Sequence, residues 1–276
     1  MKQRFTADRD GPAPGTQAVR RAAAILRALG GPAQDLGLSE IAAEVHLHKT
    51  TVFRLLDALE HEELVVRDHA RETYRLGPEL VALGNRARRA VGLHAAARPE
   101  LVALARVTGE TATLEVLVGD EVLILDEVFG RFLIGSRPEL GMRFPAYAAS
   151  TGKVLLAARM EPVHRAQRDA QRSARRDALP QLAPNTITSR VRLARELADV
   201  RRQGFATAFE EIEPGYAAVG APVVDADGRA VAAISVGGPT TRLTRERLLA
   251  LAPTVRAAAA RIGRHLGAPL PLSIAE

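Results

Sequence analysis

The sequence predicts an α+β protein with a small N-terminal helical domain that ends in a strand hairpin and a larger C-terminal domain built on an antiparallel sheet. Two observations lead to this prediction. Within residues 38–66, two apolar helical patterns lie on either side of a short break, and a strand pattern follows them. From Ala112 onward the apolar period becomes that of strands, which occur at both ends of the segment with helices between them. That order indicates an antiparallel sheet covered by helices.

Length and composition narrow the class of protein. At 276 residues the chain is long enough for two modest domains. It contains no cysteine, which excludes disulfides, thiolate metal sites and cysteine nucleophiles. Residues 1–15 lack the apolar core of a secretory signal, and no run is long enough to span a membrane. We therefore expect a cytoplasmic protein without a membrane partner. The net charge of +6 favours an acidic partner such as nucleic acid.

Residues 38–66 carry the pattern of a helix-turn-helix. Ser39 is expected to cap the first helix. The second helix has the i, i+3, i+4, i+7 spacing of one buried face, at Val52, Leu55, Leu56 and Leu59. Its opposite face carries hydroxyls and cations, and such a helix fits the major groove with its N-terminal residues leading. A helical hairpin with a merely solvated polar face is the alternative from pattern alone.

Strand patterns at Leu64–Val66 and Thr73–Leu76 surround a polar turn, and a basic hairpin after a recognition helix is a "wing". Arg67 is also placed to reach phosphate there. An earlier helix, from Gln17 to Leu29 with Thr16 as its cap, completes a three-helix domain. The candidate DNA contacts are Ser39, His48, Lys49, Thr50, Thr51, Arg54, Arg71 and Arg75.

The remaining elements follow from period and turn signals. We expect a connecting helix from Glu79 toward Ala90, whose Leu80, Leu83 and Ala87 are placed to pack against a partner copy. A polar tract at Val163–Ala178 receives no function. The predicted helices of the second domain are Pro99–Val107, Ser150–Arg159, Thr188–Gln203 and one capped by Thr244 that ends near Leu266; its predicted strands are Ala112–Val118, Glu121–Phe129, Phe132–Ser136, Phe205–Glu210, Tyr216–Val224 and Ala230–Val236.

Short motifs allow one catalytic alternative. Ser150 and Lys153 match S-x-x-K, the nucleophile motif of penicillin-interacting enzymes, so a hydrolase is the alternative function. That chemistry also needs S-D-N and K-T-G elements, and neither tripeptide occurs downstream. A helix start whose amides face a cavity explains the segment more simply. His46 and His48 share a turn without a third partner, so we expect neither a metal nor a cofactor.

Both halves of the chain contain longer matches to one family. The first half has LSEIAAEVHLHKTTVFRLLDALEHEELVVRD followed by YRLGPELVALG. The second half has GMRFPAYAASTGKVLLA and then GFATAFEEIEPGYAAVGAPVVDADGRAVAAISVGGPTTRLT. From about Thr16 onward, the chain resembles the IclR family of bacterial transcription regulators. One departure is visible, because the family pattern usually has a histidine shortly before the Gly-Lys pair, where this chain has Tyr147.

The resemblance implies a non-enzyme with two working domains. It implies a winged helix-turn-helix at 16–78 and a GAF-like effector domain at 93–268, joined by the predicted linker helix at 79–92 and followed by a tail at 269–276. Residues 1–15 are polar and contain Gly11, Pro12, Pro14 and Gly15, so we expect a disordered arm there. Such a protein binds operator DNA, senses a small metabolite, and forms homodimers or dimers of dimers. A DNA-binding structural protein without a ligand is the remaining rival.

For the effector, the resemblance places residues 141–153 along one wall of a cavity. Ser150, Thr151 and Gly152 open a helix there, and free amides at a helix start favour an anion. Since acidic side chains near Pro214 and Gly215 would repel a second charge, we expect a small monocarboxylate, aromatic and hydroxylated ones included. The effector candidates are Met142, Tyr147, Ser150, Thr151, Gly152, Phe209, Glu210, Glu211, Ala218 and Ser235.

Overall fold

A computed structural model of the chain describes residues 16–31, 35–90, 92–132, 139–159 and 178–267. The predicted arm and tail, nearly all of the polar tract and most of the strand predicted after Phe132 lie outside these ranges. Internal contacts divide the chain after Ala90 into an N-terminal unit and a C-terminal unit. No helix in the described ranges is both long and apolar enough to cross a bilayer.

The N-terminal unit consists of short helices and a small sheet. Its elements are α1 (Thr16–Leu29), β1 (Leu36–Gly37), α2 (Leu38–Glu44), α3 (Lys49–His61), β2 (Val65–Asp68), β3 (Thr73–Leu76) and α4 (Pro78–Ala90). The antiparallel strand order is β1-β3-β2. The apolar stripes of the helices meet in one core, in which Ile25, Ile41, Val52 and Leu56 are fully buried. The predicted winged helix-turn-helix is therefore confirmed.

One prediction in this unit is wrong, and one short strand was not predicted. Ser39 is not the cap of α2, because the helix begins at Leu38 and Gly37 precedes it. The Glu40 carboxylate reaches back to accept the Gly37 amide at 2.7 Å, which fulfils the capping role. Strand β1 was not predicted, since two residues show no period; pairing of Leu36 with Tyr74 holds it extended.

The C-terminal unit is a six-stranded antiparallel sheet with helices on both faces. Its elements are α5 (Leu93–Thr108), β4 (Thr111–Val118), β5 (Glu121–Val128), β6 (Arg143–Pro145), α6 (Ser150–Arg159), α7 (Arg190–Gln203), β7 (Ala206–Phe209), β8 (Tyr216–Val224), β9 (Ala230–Pro239) and α8 (Arg245–His265). The strand order is β6-β5-β4-β9-β8-β7. On β9, Ala232 and Ile234 pack with α5 and α8, whereas Ala233 packs with α6 and α7. The predicted α+β class is confirmed.

The two largest boundary differences in this unit are at the start of α5 and at the end of β9. Helix α5 begins at Leu93 and not at Pro99, which lies inside it and lacks the amide that would bond back along the helix. Strand β9 extends past Val236 through two glycines to Pro239. Glycine is required at Gly237 because a Cβ there would lie 2.1 Å from the Tyr216 hydroxyl oxygen.

Candidate functional site

The exposed face of α3 carries both cations and hydroxyls. Helix α3 begins after His48, and Lys49, Thr50 and Arg54 are exposed along its first two turns. Thr51 is half-buried. All eight predicted DNA-contact residues lie in this unit, and Ser39, Arg71 and Arg75 are also exposed. This face combines hydrogen-bond donors with positive charge, as a surface for phosphates and base edges requires.

The hairpin of β2 and β3 has a turn organised by Asp68. Its Oδ1 accepts the amides of Ala70 at 2.9 Å and Arg71 at 3.1 Å. The Arg71 amide is the main reason that the pKa of Asp68 is lowered. Arg67, which was predicted to reach phosphate, is half-buried with its guanidinium 5.6 Å from the centre of the Tyr74 ring. The exposed cations of the hairpin are therefore Arg71 and Arg75.

In the C-terminal unit, a small cavity lies against the first turn of α6. It offers about 30 Å³ as the side chains stand. Of the ten predicted effector residues, Ser150, Thr151, Ala218 and Ser235 line it. Phe144 and Ala149 also line it, and they lie in the segment 141–153 that was expected to form one wall. The rest of the described lining comes from residues that were not predicted: Thr113, Glu115, Ile124, Glu139, Ala208, Ile212, Glu213 and Tyr216.

Three of the other predicted effector residues, Met142, Tyr147 and Gly152, are absent from the described lining of the cavity. The Tyr147 hydroxyl donates to the Pro180 carbonyl oxygen at 2.7 Å. Gly152 faces the backbone, since a Cβ there would lie 2.2 Å from the Ala146 carbonyl oxygen. Met142 is an exposed residue just before β6.

The predicted residues at the end of β7 and in the loop after it also point elsewhere. The Phe209 ring lies 4.2 Å below the Arg245 guanidinium. Glu210 has a positive φ of 53° and accepts the Gly215 amide at 2.9 Å, which fixes the loop. Glu211 turns inward to Lys153, with an Oε1–Nζ distance of 2.7 Å.

The floor of the cavity is a chain of buried hydroxyls that ends on a carboxylate. Thr113 pairs with Ser235 across β4 and β9, and their hydroxyl oxygens are 2.7 Å apart. Thr113 donates to Glu115 Oε1 at 2.7 Å, so Ser235 is the donor to Thr113. Thr151 donates to Glu115 Oε2 at 2.5 Å. The sequence signal for Thr113 and Glu115 was their i, i+2 spacing in an otherwise apolar strand, which puts both on one face.

Burial raises the pKa of Glu115. The two hydroxyl donors partly offset this effect, and the nearby charge of Glu139 adds to it. The folded protein therefore holds a proton on Glu115 more tightly than the unfolded chain does. The stability that this proton contributes is present below the ordinary glutamate pKa and is lost as the pH rises through the folded pKa.

We accordingly expect Glu115→Gln, which imitates the protonated form, to gain stability over the wild type as the pH rises from about 4 to 8. Melting temperatures across that range measure the difference. Glu121→Gln, at an exposed position, is the matched control and should show no such trend. A difference between Glu115→Gln and wild type that stays constant with pH would contradict this assignment.

Lys153 forms a separate buried ion cluster. It is fully buried, and its Nζ donates to Glu196 Oε1 at 2.5 Å, Glu211 Oε1 at 2.7 Å and the Thr207 carbonyl oxygen at 3.1 Å. With three donors engaged, this ammonium cannot serve as a base for Ser150, so the geometry does not support the hydrolase alternative. Within the described residues, no group of His, Asp and Glu side chains is arranged to hold a metal ion.

Comparison with known proteins decides the family. Residues 18–69 match the IclR helix-turn-helix domain, and residues 86–264 match the C-terminal domain of bacterial IclR transcriptional regulators. This chain belongs to the IclR family. The IclR resemblance seen in the sequence is therefore confirmed, and the chain is a DNA-binding transcription regulator and not an enzyme.

Individual relatives agree along most of their length. The chain is 35% identical over 245 residues to the HTH-type transcriptional regulator BhcR of Paracoccus denitrificans, covering 89% of this chain and 85% of the relative. It is 36% identical over 255 residues to the glycerol operon regulatory protein of Streptomyces griseus, covering 91% of this chain and 97% of that relative. The crystal structure of an IclR transcriptional regulator from Alicyclobacillus acidocaldarius matches with a TM-score of 0.79 and 29% sequence identity, covering 91% of this chain and 99% of that chain.

Proposed function

We propose that this IclR-family regulator binds operator DNA through α3 and the hairpin wing, and that a small metabolite in the C-terminal cavity changes this binding. The DNA half of the proposal assigns Thr50 and Arg54 to base edges. The other predicted contacts, Ser39, His48, Lys49, Thr51, Arg71 and Arg75, are assigned to the backbone or groove rim. The domain division at residues 16–78, 79–92 and 93–268 is part of the same proposal.

The observation that carries the effector half is the polar cavity at the start of α6. The helical hydrogen bonds of α6 begin with the backbone amide of Lys153, which donates to the Ala149 carbonyl oxygen at 2.9 Å. The amides of Ser150, Thr151 and Gly152 precede this bond, and such amides at a helix N-terminus attract an anion. One ligand carboxylate therefore has a place at this end of the cavity.

The acidic side chains of the lining limit the charge of the ligand. Glu115 is buried on the floor, and Glu139 and Glu213 also line the cavity. A second carboxylate would be repelled there, whereas a ligand hydroxyl has an acceptor in Glu115. Because the free volume is only about 30 Å³, lining side chains must move when a ligand enters. We therefore propose a small hydroxylated monocarboxylate.

Two series of compounds test whether the cavity prefers a ligand with a single carboxylate. Glycerol, glycerate and tartronate share three carbons and carry none, one and two carboxylates; 4-hydroxybenzyl alcohol, 4-hydroxybenzoate and 4-hydroxyphthalate form the aromatic series. We expect a melting shift and altered operator binding only from a member with one carboxylate. Stronger binding of the neutral or doubly charged members would contradict the proposal, and no ligand effect on DNA binding from any compound would favour the structural rival.

Thr151→Val should keep the fold and basal DNA binding but weaken ligand binding by about threefold to tenfold, the value of one hydrogen bond, because it removes the hydroxyl that holds Glu115 in place on the cavity floor. Calorimetric titration with the active compound measures this change. Thr108→Val is the matched control, because its hydroxyl donates to the Leu104 carbonyl oxygen outside the cavity. Unchanged affinity in Thr151→Val would show that the ligand binds elsewhere.

The third part of the proposal is assembly as a homodimer or dimer of dimers. A winged helix-turn-helix contacts few base pairs, and dimers pair two half-sites. On α4, Leu83 of the predicted stripe is 45% exposed and Leu80 is half-buried, and we propose that this face packs against a partner copy. The side chain of Ala87, the third residue of the stripe, lies outside the described residues. We expect a dimeric or larger mass at micromolar concentration and a lower mass for Leu83→Glu. A wild-type monomer both with and without DNA would contradict this.

A further inference from the structure

One aromatic side chain on the DNA-facing helix lies outside the core of its unit. Phe53 is 45% exposed, whereas its neighbour Val52 is fully buried. As far as the described residues extend, the core of the N-terminal unit and the apolar side chains packed on it do not include Phe53. The ring therefore contributes little to folding where it stands.

The position of Phe53 on α3 sets what it can meet. At 100° per residue, Phe53 lies about 40° from Lys49 and about 60° from Thr50 around the helix axis. It is one turn from the helix start, the part of a recognition helix that enters the groove deepest. Lys49 and Thr50 are both exposed on the same side. A helix that brings these two residues to DNA brings the Phe53 ring with them.

The chemistry of the major groove offers one suitable partner for a phenyl ring. Base edges present donors and acceptors, which phenylalanine cannot satisfy, and a single apolar group, the 5-methyl of thymine. We propose that Phe53 packs against a thymine methyl in each half-site and so determines specificity at that base pair. The inference rests on the proposed placement of α3 in the groove.

The test uses the full-length protein and defined duplexes. Selection from a random duplex pool first gives the preferred site. Each thymine is then replaced by deoxyuridine, which removes only the 5-methyl group. Wild type should lose about fourfold in affinity per half-site at one position, the value of one buried methyl. In Phe53→Ala the same replacement should have no effect, so the two changes are coupled.

Control measurements separate the outcomes. Phe53→Ala should keep the wild-type melting temperature, and Phe129→Ala, a 42% exposed phenylalanine of the C-terminal unit, should keep the wild-type methyl response. If no preferred site can be selected, the proposed DNA contacts themselves fail. If a site is selected but contains no methyl-sensitive thymine, or if Phe53→Ala keeps the wild-type response, the inference is overturned. If Phe53→Ala lowers the oligomer mass but keeps the wild-type loss of affinity on deoxyuridine duplexes, the inference is overturned in favour of a protein partner for this ring.

Discussion

Replacing Lys153 with methionine is expected to lower the free energy of unfolding by about 3–5 kcal/mol, because it leaves the other partner of a buried ion pair as an uncompensated buried charge. The substitution keeps most of the side-chain volume but removes the cation that faces Glu211, whose side chain is only 10% exposed. Burial already raises the pKa of Glu211, and the charge of Lys153 opposes that rise. Urea unfolding of the C-terminal unit measures the loss.

Two companion variants test the cause of this loss. Glu196→Gln should cost much less, because the Glu196 side chain is 37% exposed and water can solvate the site. Lys153→Met with Glu211→Leu should recover most of the stability, since removing both buried charges is close to neutral. The deficit of Lys153→Met should shrink as the pH falls and Glu211 takes up a proton. A deficit that does not change with pH, or that the double variant does not relieve, would contradict the ion-pair explanation.

Leu56→Ala is expected to destabilise the N-terminal unit by about 2–5 kcal/mol through the cavity that it leaves. Leu56 is fully buried in the core of that unit. The neighbouring exposed residue gives the matched contrast, since Arg54→Ala should leave unfolding unchanged and weaken operator binding by about 1–3 kcal/mol. Differential scanning calorimetry and binding titrations at matched salt measure the two effects. Wild-type operator affinity in Arg54→Ala, or wild-type stability in Leu56→Ala, would mean that α3 is oriented wrongly.

The elements that could be predicted from the sequence are those whose evidence is local. Helix α6 and strand β8 were predicted with their observed bounds, because period and turn signals lie within each segment. Strand β1 and the end of β9 were missed because distant partners fix them, and the start of α5 was missed because Pro99 lies inside the helix. Strand β1 exists only through pairing with β3, and Gly237 and Gly238 continue β9 because Tyr216 and Glu110 lie where a Cβ would be.

The cavity shows the same limit at the level of side chains. Ser150 and Thr151 were predicted because a helix start is visible in the sequence. Glu115 was missed, since only the register of β4 against β9 and the packing of α6 bring it to the Thr151 hydroxyl. That register pairs Thr113 with Ser235, which are 122 positions apart in the chain. A polar residue in an apolar strand was therefore visible, but its partner was not.

A ligand in the cavity and DNA on α3 should each change the affinity for the other, and reciprocal titration tests this coupling most directly. The ligand dissociation constant is measured with and without saturating operator, and the operator dissociation constant with and without saturating ligand. Coupling between sites is reciprocal, so both constants should change by one common factor, about 5–150-fold. Thr151→Val should shift the ligand constant and leave DNA binding without ligand unchanged. Equal ligand affinity in the presence and absence of operator would contradict the account.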